Sequence, residues 1–260
     1  MGLSKEQVVE YSENGFLIVE NLLDKKEVEA LRNRAEQVAS GQLTHISKDR
    51  IQIEPEVAAG DSQAQNYADS LRKMSHLAFY DKIFETHGRN PKILDIVESI
   101  LGPDFKLYQD QLFMKPPRVG SRQPYHQDQP AGFYIDPPDQ MVTCWTALDD
   151  STIENGCLWM LPGTHKLGPL DQSERDEYES KFQKGNLPDE RPIVMKAGSC
   201  SFHHSLILHS SRVNLSDKRR RGYATHYVSA KCKYTGPPQK YAKLGKDAIL
   251  VRGKSTAGHI

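Results

Sequence analysis

The pattern of apolar residues changes near residue 104, and this change constrains the fold more than any other feature. Helix signals dominate the first 103 residues, whereas short apolar or alternating runs, divided by proline and glycine turns, fill the segment that follows. Helices followed by many short strands indicate an antiparallel sheet or barrel. The sequence therefore predicts an α+β fold, mainly β, with N-terminal helices covering the sheet. The expected strands are residues 105–115, 141–148, 157–161, 193–196, 201–208 and 223–229.

Three helices are predicted before the change. Capping boxes that begin at Ser4 and Asp24 each start a helix, and the Asn-Pro pair at Asn90 starts a third. The apolar run 16–19 between the first two helices is typical of a strand. Residues 40–70 are polar and follow no helix or strand period, so we expect a functional or mobile loop there.

The length and charge of the chain limit its organisation and partners. A chain of 260 residues predicts a single domain over 1–260, with 1–103 as mainly helical support and 104–235 as the barrel. The 34 Lys and Arg balance the 34 Asp and Glu, so no net field attracts nucleic acid or an anionic membrane. We expect no nucleic acid and no membrane partner, and a monomer or weak homo-oligomer.

The cysteines and the N-terminal residues bear on location. The four cysteines are widely spaced and include no C-x-x-C pair, which argues against a zinc ribbon and against a disulfide framework. The first residues contain no apolar signal core, and the sequence has no run of apolar residues long enough to span a bilayer. The predicted location is cytoplasmic.

A His-x-Asp pair is the first candidate for chemistry. His126 and Asp128 would lie on one face of a strand, so their side chains could bind one ion. The pair alone is weak evidence, because such a match arises easily by chance in a chain with ten histidines. His209, at the end of a second apolar run, would complete two histidines and a carboxylate, a set that leaves open positions on Fe(II). A half-buried strand histidine without a ligand role is the alternative for His209.

Six segments in a fixed order resemble one known family. They are GFLIVENLL, LFMKPP, YHQDQP, VTCWTALDD, ENGCLWMLPGTH and HSSRVNLSDKRRRGY. Together they resemble the phytanoyl-CoA dioxygenase family of Fe(II)- and 2-oxoglutarate-dependent oxygenases over nearly the whole chain. The resemblance implies a double-stranded β-helix, a jelly-roll or cupin-like barrel, that binds iron at its mouth through His126, Asp128 and His209.

The resemblance also implies a site for the cosubstrate 2-oxoglutarate. Arg220 would bind its far carboxylate, since a guanidinium pairs with both oxygens of a carboxylate. Strand alternation would then turn Arg219 and Arg221 towards solvent and bring the small residues Gly222 and Ala224 inwards.

Four further residues match cosubstrate positions of the family. Ser211 would add a hydroxyl donor, and Lys73, Gln111 and Trp145 would form cofactor contacts or walls. Lys73 has an exposed lysine as its alternative, and Trp145 a core tryptophan. Gln111 replaces an apolar residue of the family's namesake, which puts the kind of contact that it makes in doubt.

The implied activity is hydroxylation of a small molecule, with O2 as the oxidant and with release of succinate and CO2. Asp128 supplies a carboxylate in the position that a halide would need on the iron. The resemblance therefore favours hydroxylation over halogenation. Two alternatives stay open: a non-catalytic sensor that binds metal and 2-oxoglutarate, and a zinc hydrolase. The substrate is either an acyl-CoA thioester or a small polar metabolite, and Gln129, Phe133, Tyr134 and the 40–70 segment are the candidates to contact it.

Two consecutive histidines lie in the predicted strand 201–208. His203 and His204 point in opposite directions on a strand, so at most one of them lines the barrel.

Overall fold

The computed structural model describes residues 2–129, 132–187, 189–239 and 248–260. The helices of the described residues are α1 (Lys5–Asn14), α2 (Lys25–Ala39), α3 (Pro55–Ala59), α4 (Lys82–Gly88), α5 (Pro91–Leu101) and α6 (Gln172–Gln183). The strands are β1 (Phe16–Val19), β2 (Ile51–Ile53), β3 (Leu71–Ser75), β4 (Phe105–Phe113), β5 (Gln123–His126), β6 (Ile135–Asp136), β7 (Met141–Ala147), β8 (Leu158–Met160), β9 (Arg191–Ile193), β10 (Cys200–His204), β11 (His209–Ser211), β12 (Gly222–Ser229), β13 (Lys233–Tyr234) and β14 (Ile249–Arg252).

The predicted helix starts are confirmed. In α2 the Asp24 side chain accepts the backbone N–H of Glu27 at 2.9 Å, and the Glu27 carboxylate accepts the backbone N–H of Asp24 at 2.7 Å. Ser4 caps α1 in the same reciprocal way, and Asn90 caps α5. These side chains satisfy backbone donors that the first turn of a helix leaves without partners.

Two antiparallel sheets form the barrel. The larger sheet has the strand order β1-β10-β7-β12-β4-β3-β2, and β14 also pairs with β4. The smaller sheet has the order β5-β11-β8-β9, and β13 pairs with β6 beside them. The predicted α+β, mainly β, double-stranded β-helix is confirmed, whereas the single-domain organisation stays a prediction.

Helices α2 and α5 cover the outer face of the larger sheet. Val28 and Leu31 of α2 and Ile93 of α5 are buried in one core cluster with Phe202 and Tyr227 of the sheet. This packing places the polar inner face of the sheet opposite the smaller sheet. No helix among the described residues is long and apolar enough to cross a membrane.

The prediction of one strand over 201–208 is wrong. Strand β10 ends at His204, and His209 begins β11 in the other sheet. The backbone turns between them, where Ile207 N–H donates to the His204 carbonyl at 3.1 Å and the Ser205 hydroxyl donates to the Pro138 carbonyl at 2.6 Å. The apolar residues of this turn are buried because it joins the two sheets. An apolar run alone does not distinguish such a buried turn from a strand.

The polar segment 40–70 is more ordered than the sequence suggests. It contains β2, α3 and single helical turns at 48–50 and 67–70. Strand β2 pairs with β3, so this segment forms an edge of the larger sheet. Its elements are too short to show a hydrophobic period, which explains why no helix or strand is predicted there.

A buried carboxyl group fixes the chain where β4 passes beneath the helical layer. Asp110 of β4 accepts the backbone N–H groups of Leu77 at 2.8 Å and Ala78 at 3.0 Å. Burial raises the pKa of Asp110 to about 7, although the two N–H donors favour its charged form. Asp110 therefore takes up a proton in the folded protein at a pH where an unfolded aspartate is ionised.

This group predicts a pH dependence of stability. The folded pKa of Asp110 lies above the unfolded value of about 3.9, so its contribution to stability is fully present below about pH 4 and is lost as the pH rises through 7. Asp110→Asn does not titrate. The free energy of unfolding of the wild type, minus that of the variant, should fall by about 4 kcal/mol between pH 4 and 8. Urea unfolding at each pH measures this difference, with exposed Asp61→Asn as control; a pH-independent difference contradicts the assignment.

Candidate active site

Strand pairing brings the three predicted metal ligands together. His126 is the last residue of β5, His209 is the first of β11, and the two residues lie opposite each other in the antiparallel pair. Their ring centroids are 4.2 Å apart. Asp128 follows β5 by two residues, and one ligand atom from each of the three side chains lies within 4.8 Å of the others.

Backbone carbonyls fix which ring nitrogen of each histidine faces the centre. The Nδ1 atom of His126 lies 2.8 Å from the Pro124 carbonyl, and that of His209 lies 3.1 Å from the Ile207 carbonyl. A carbonyl only accepts, so each Nδ1 carries the hydrogen and each Nε2 presents a lone pair. Burial lowers the pKa of His126 to about 4, which keeps the ring neutral as a metal ligand must be.

A threonine and a further histidine orient the carboxylate. Thr143 Oγ1 donates to Asp128 Oδ2 at 3.0 Å, and it lies 2.9 Å from His226 Nδ1. The hydroxyl has one proton, so His226 Nδ1–H must donate to Thr143. This leaves Asp128 Oδ1 towards the centre, 3.9 Å from His209 Nε2.

The charge of Asp128 is also fixed by its surroundings. Burial alone would raise the pKa of Asp128, but the imidazoles of His209, His226 and His203 lower it to about 2. Two neutral imidazoles and one carboxylate on a shared centre fit a divalent iron site with open positions.

A cavity of about 310 Å³ extends from this centre between the two sheets. The predicted site residues all lie on its wall, which brings together the proposed metal ligands and the proposed cosubstrate residues. They are Lys73, Gln111, His126, Asp128, Trp145, His209, Ser211 and Arg220.

Arg220 lies on this wall as a buried cation. It is 2% exposed, and its Nη2 donates to the Gly156 carbonyl at 2.8 Å. Its Nε has no hydrogen-bond partner among the described residues. Burial lowers the pKa of Arg220 to about 10, so the group is positive at neutral pH. A buried cation with an unused donor is suited to bind an anion.

Glycine at 222 makes room for the neighbouring tryptophan. A Cβ atom on Gly222 would lie 1.9 Å from Trp145 Cζ2. The Arg220 guanidinium lies 5.2 Å from the centre of the Trp145 ring system. Trp145 therefore forms part of the cavity wall as well as part of an apolar cluster with Ala224.

The expectation that Arg219 and Arg221 face solvent is wrong. Arg221 forms a two-bond pair with Asp149, with each distance 2.8 Å, and Arg219 pairs with Asp69. Both arginines also contact Glu36 of α2, at 2.6 and 2.9 Å. The covering helix supplies this acidic partner, and its position relative to the sheet is not visible in the local sequence.

Lys73 and Gln111 reach the cavity from neighbouring strands of the larger sheet. Lys73 of β3 lies opposite Phe113 of β4, and its Nζ is 6.0 Å from the centre of that ring. Burial lowers the pKa of Lys73, as does the nearby Arg72. The alternative of a freely exposed lysine is therefore wrong.

Only part of the predicted substrate contact region lies on the cavity. Phe133 lines it, whereas Gln129 and Tyr134 are not among its described lining residues. The Gln129 side-chain Oε1 instead accepts the Ile135 backbone N–H at 3.2 Å, and Tyr134 packs against Tyr234 at 6.0 Å between ring centroids. The local sequence did not reveal that the Gln129 side chain bonds to the backbone of Ile135.

Sequence reasoning missed several wall residues. His226 and Thr143 line the cavity, and alternation along β12 from inward Ala224 would have indicated His226. The expectation for the consecutive histidines is confirmed. His203 lines the cavity, and His204 instead packs against His165 at 5.0 Å between ring centroids.

Solved structures share the architecture of this chain. The non-heme alpha ketoglutarate dependent carbocyclase SnoK from nogalamycin biosynthesis matches 97% of this chain and 94% of its own, with a TM-score of 0.74 and 21% identity. EctD from S. alaskensis, solved with 2-oxoglutarate and 5-hydroxyectoine, has a TM-score of 0.73 and 19% identity over 90% of this chain and 79% of its own. At such identities the likeness establishes the fold. Both proteins therefore support the fold of this chain and not its activity.

Sequence comparison then identifies the family. The family model described as phytanoyl-CoA dioxygenase (PhyH) matches residues 11–222. The peroxisomal phytanoyl-CoA dioxygenase of Rattus norvegicus is 32% identical over 246 residues, which cover 89% of this chain and 70% of the relative. The chain belongs to the phytanoyl-CoA dioxygenase family. Membership of this family confirms the predicted dioxygenase activity with Fe(II), 2-oxoglutarate and O2. It favours that activity over the sensor and zinc hydrolase alternatives.

The contact between Thr143 and Asp128 predicts a change in metal affinity. Thr143→Val removes the donor to Asp128 Oδ2 at nearly constant volume, so the carboxylate loses its fixed orientation. We expect the affinity for Mn(II), used in place of Fe(II), to fall about 10- to 100-fold. Calorimetric titration measures it. Thr225→Val is the control, because that buried hydroxyl donates to the Cys144 carbonyl at 3.4 Å and Thr225 is not among the described residues that line the cavity. Equal losses in the two variants would contradict the role of Thr143.

Proposed function

We propose that His126, Asp128 and His209 hold Fe(II), and that Arg220 and Ser211 bind the far carboxylate of 2-oxoglutarate. The observation that carries this proposal is one cavity whose wall includes both a three-ligand centre and a buried arginine with an unused donor. When bound, iron with 2-oxoglutarate and O2 supplies the oxidation, in which 2-oxoglutarate gives succinate and CO2 and one oxygen atom enters the substrate.

The protein residues bind and orient the reacting molecules. Arg220 offers a planar pair of donors that matches a carboxylate, in a place from which water is largely excluded. Trp145 and Leu158 enclose the space beside it. Lys73 adds positive charge to the wall and Gln111 adds an amide. These contacts hold a dicarboxylate in one orientation, which is the main contribution that a protein makes to chemistry performed by a cofactor.

Asp128 supports hydroxylation of the substrate rather than halogenation. Its carboxylate occupies the position that a halide would need, and Thr143 holds it there at 3.0 Å. The open positions are then left for 2-oxoglutarate and O2.

The walls beside Asp128 support a small, polar substrate. His203 Nδ1 and His226 Nε2 are buried and have no hydrogen-bond partner among the described residues. Buried polar atoms without protein partners favour a ligand that hydrogen-bonds to them. The cavity of about 310 Å³ must also hold 2-oxoglutarate, so little room is left for a large substrate. Phe133, which packs on His226 at 4.5 Å between ring centroids, would cover an apolar part.

An acyl-CoA thioester is the second candidate substrate. Curated relatives that are 32% identical to this chain over the aligned residues are named phytanoyl-CoA dioxygenases. Only the acyl chain of such a substrate would enter the cavity.

Location and association stay predictions. Four free cysteines, all buried, are consistent with a cytoplasmic protein. The balanced charge supports the absence of nucleic acid and membrane partners, and a monomer or weak homo-oligomer is still expected.

Substitution of two adjacent arginines tests the cosubstrate site. Arg220→Ala should weaken 2-oxoglutarate binding about 30- to 100-fold, because it removes charge-assisted hydrogen bonds in a buried place. Arg219→Ala removes ion pairs with Asp69 and Glu36 outside the cavity and should leave the affinity nearly unchanged. Anaerobic calorimetry with the Fe(II)-loaded protein measures both. Equal losses would mean that the arginine run is a basic surface and not a binding site.

Succinate formation tests the substrate class. The Fe(II)-loaded protein, given 2-oxoglutarate and O2, is assayed with a panel of small polar metabolites and a panel of acyl-CoA thioesters. We expect a polar compound to increase succinate formation in step with its own hydroxylation. Stimulation by acyl-CoA thioesters alone would favour the second candidate, and stimulation by neither panel would count against both.

A further inference from the structure

A buried lysine outside the proposed machinery contacts the cosubstrate side of the cavity. Lys115 follows β4, is 5% exposed, and lines a separate cavity of about 30 Å³ that borders Ser211 and Arg220. It is not among the described residues that line the larger cavity. Lys115 therefore reaches the proposed 2-oxoglutarate site only through its neighbours.

We propose that Lys115 is a positioning residue that orients the Ser211 hydroxyl towards the far carboxylate of 2-oxoglutarate. The inference rests on the proposed function, because it assumes that Ser211 and Arg220 bind that carboxylate. It adds to that function a specificity-determining residue for a dicarboxylate cosubstrate.

The hydrogen bonds of Lys115 carry the argument. Its Nζ donates to Ser211 Oγ at 3.0 Å and to the Ser121 carbonyl at 2.9 Å. A serine hydroxyl has one proton and two lone pairs, and the ammonium occupies a lone pair. The Ser211 proton must point away from Lys115. Since Ser211 lines both cavities, its proton can be directed into the larger one.

The surrounding backbone holds the lysine stem in one path. A Cβ atom on Gly156 would lie 2.5 Å from Lys115 Cε, and one on Gly120 would lie 2.6 Å from Lys115 Cγ. Gly156 also accepts the hydrogen bond from Arg220 Nη2 at 2.8 Å. One glycine therefore touches both cations, and a side chain there would displace the lysine.

The main chain links the same two residues. The Arg220 backbone N–H donates to the Lys115 carbonyl at 3.1 Å. Lys115 has a φ of 27°, a conformation that a residue with a side chain rarely adopts. Asn214 Nδ2 also donates to the Lys115 carbonyl, at 3.1 Å, and so helps to hold this backbone. The position of Lys115 is thus fixed by several contacts that converge on Arg220.

The charges around Lys115 favour an anion at Ser211. Burial lowers the pKa of Lys115 well below its usual value, and the neighbouring Arg220 and Arg72 act in the same direction. Glu54 acts in the opposite direction, but it also lies 3.6 Å from Arg72. A carboxylate bound at Ser211 and Arg220 would add the negative charge that this group of cations lacks and would favour charged Lys115.

Binding of two oxo acids tests the proposal. The protein is loaded with Fe(II) without O2 and titrated by calorimetry with 2-oxoglutarate and with 2-oxobutyrate, which has no far carboxylate. Lys115→Met should weaken 2-oxoglutarate binding about 10-fold and leave 2-oxobutyrate binding and Mn(II) affinity unchanged. Lys106→Met is the matched control, because Lys106 is a buried lysine of β4 whose Nζ contacts the Ile260 carbonyl.

A double substitution separates positioning from simple charge. Ser211→Ala should weaken 2-oxoglutarate binding by a similar factor, and Lys115→Met in that background should cost much less than in the wild type. If the two losses multiply, Lys115 does not act through Ser211 and the proposal is wrong. If Lys115→Met does not fold, Lys115→Leu, which also removes the donor to Ser211, takes its place. An unchanged affinity in Ser211→Ala also overturns the proposal.

The same titrations distinguish a failure of the proposed function from a failure of the role of Lys115. If the wild type binds 2-oxobutyrate as tightly as 2-oxoglutarate, the cavity does not recognise the far carboxylate, and the proposed function fails. If the wild type prefers 2-oxoglutarate and Lys115→Met keeps that preference in full, only the role of Lys115 fails.

Discussion

The antiparallel pairing of β5 with β11 is the contact on which the rest of the site depends. It places His209 directly opposite His126, although 82 residues separate them in the chain. The carbonyls of Pro124 and Ile207, each two residues before its histidine, then turn both Nε2 atoms towards Asp128. A shift of this pairing by one residue would move His209 to the other face of its strand. Backbone register therefore brings two of the proposed metal ligands together.

The second requirement is a stable polar interior. The barrel encloses Arg220, Lys115, Asp128 and several imidazoles, and such groups are costly to bury unless they have partners. Carbonyls, hydroxyls and a threonine bridge supply many of those partners. One buried donor without a hydrogen-bond partner among the described residues, Arg220 Nε, belongs to a residue that lines the larger cavity. Burying these cations without a full set of partners costs free energy, and a bound anion would offset that cost. The arrangement is therefore consistent with an anion-binding site.

Much of this arrangement follows from local sequence. The capping boxes, the strands β4, β7 and β12, and the eight site residues on one cavity wall were predicted from periodicity and from resemblance to a family. Long-range contacts were not predictable in the same way. The turn at 205–208 looks like strand because it is apolar, and the partners of Arg219 and Arg221 come from α2, which is far away in the chain. Alternation along β12 indicates that His226 faces inwards, but its link to Asp128 was not predictable because the link passes through Thr143 on another strand.

The most direct test of the account is an anomalous diffraction map of crystals grown with Mn(II) and 2-oxoglutarate without O2. The account predicts one strong peak at about 2.0–2.3 Å from His126 Nε2, Asp128 Oδ1 and His209 Nε2, by analogy with ordinary nitrogen and oxygen ligand distances. It also predicts that the far carboxylate of 2-oxoglutarate contacts Arg220. A peak elsewhere, or a cosubstrate whose far carboxylate does not reach Arg220, would contradict it.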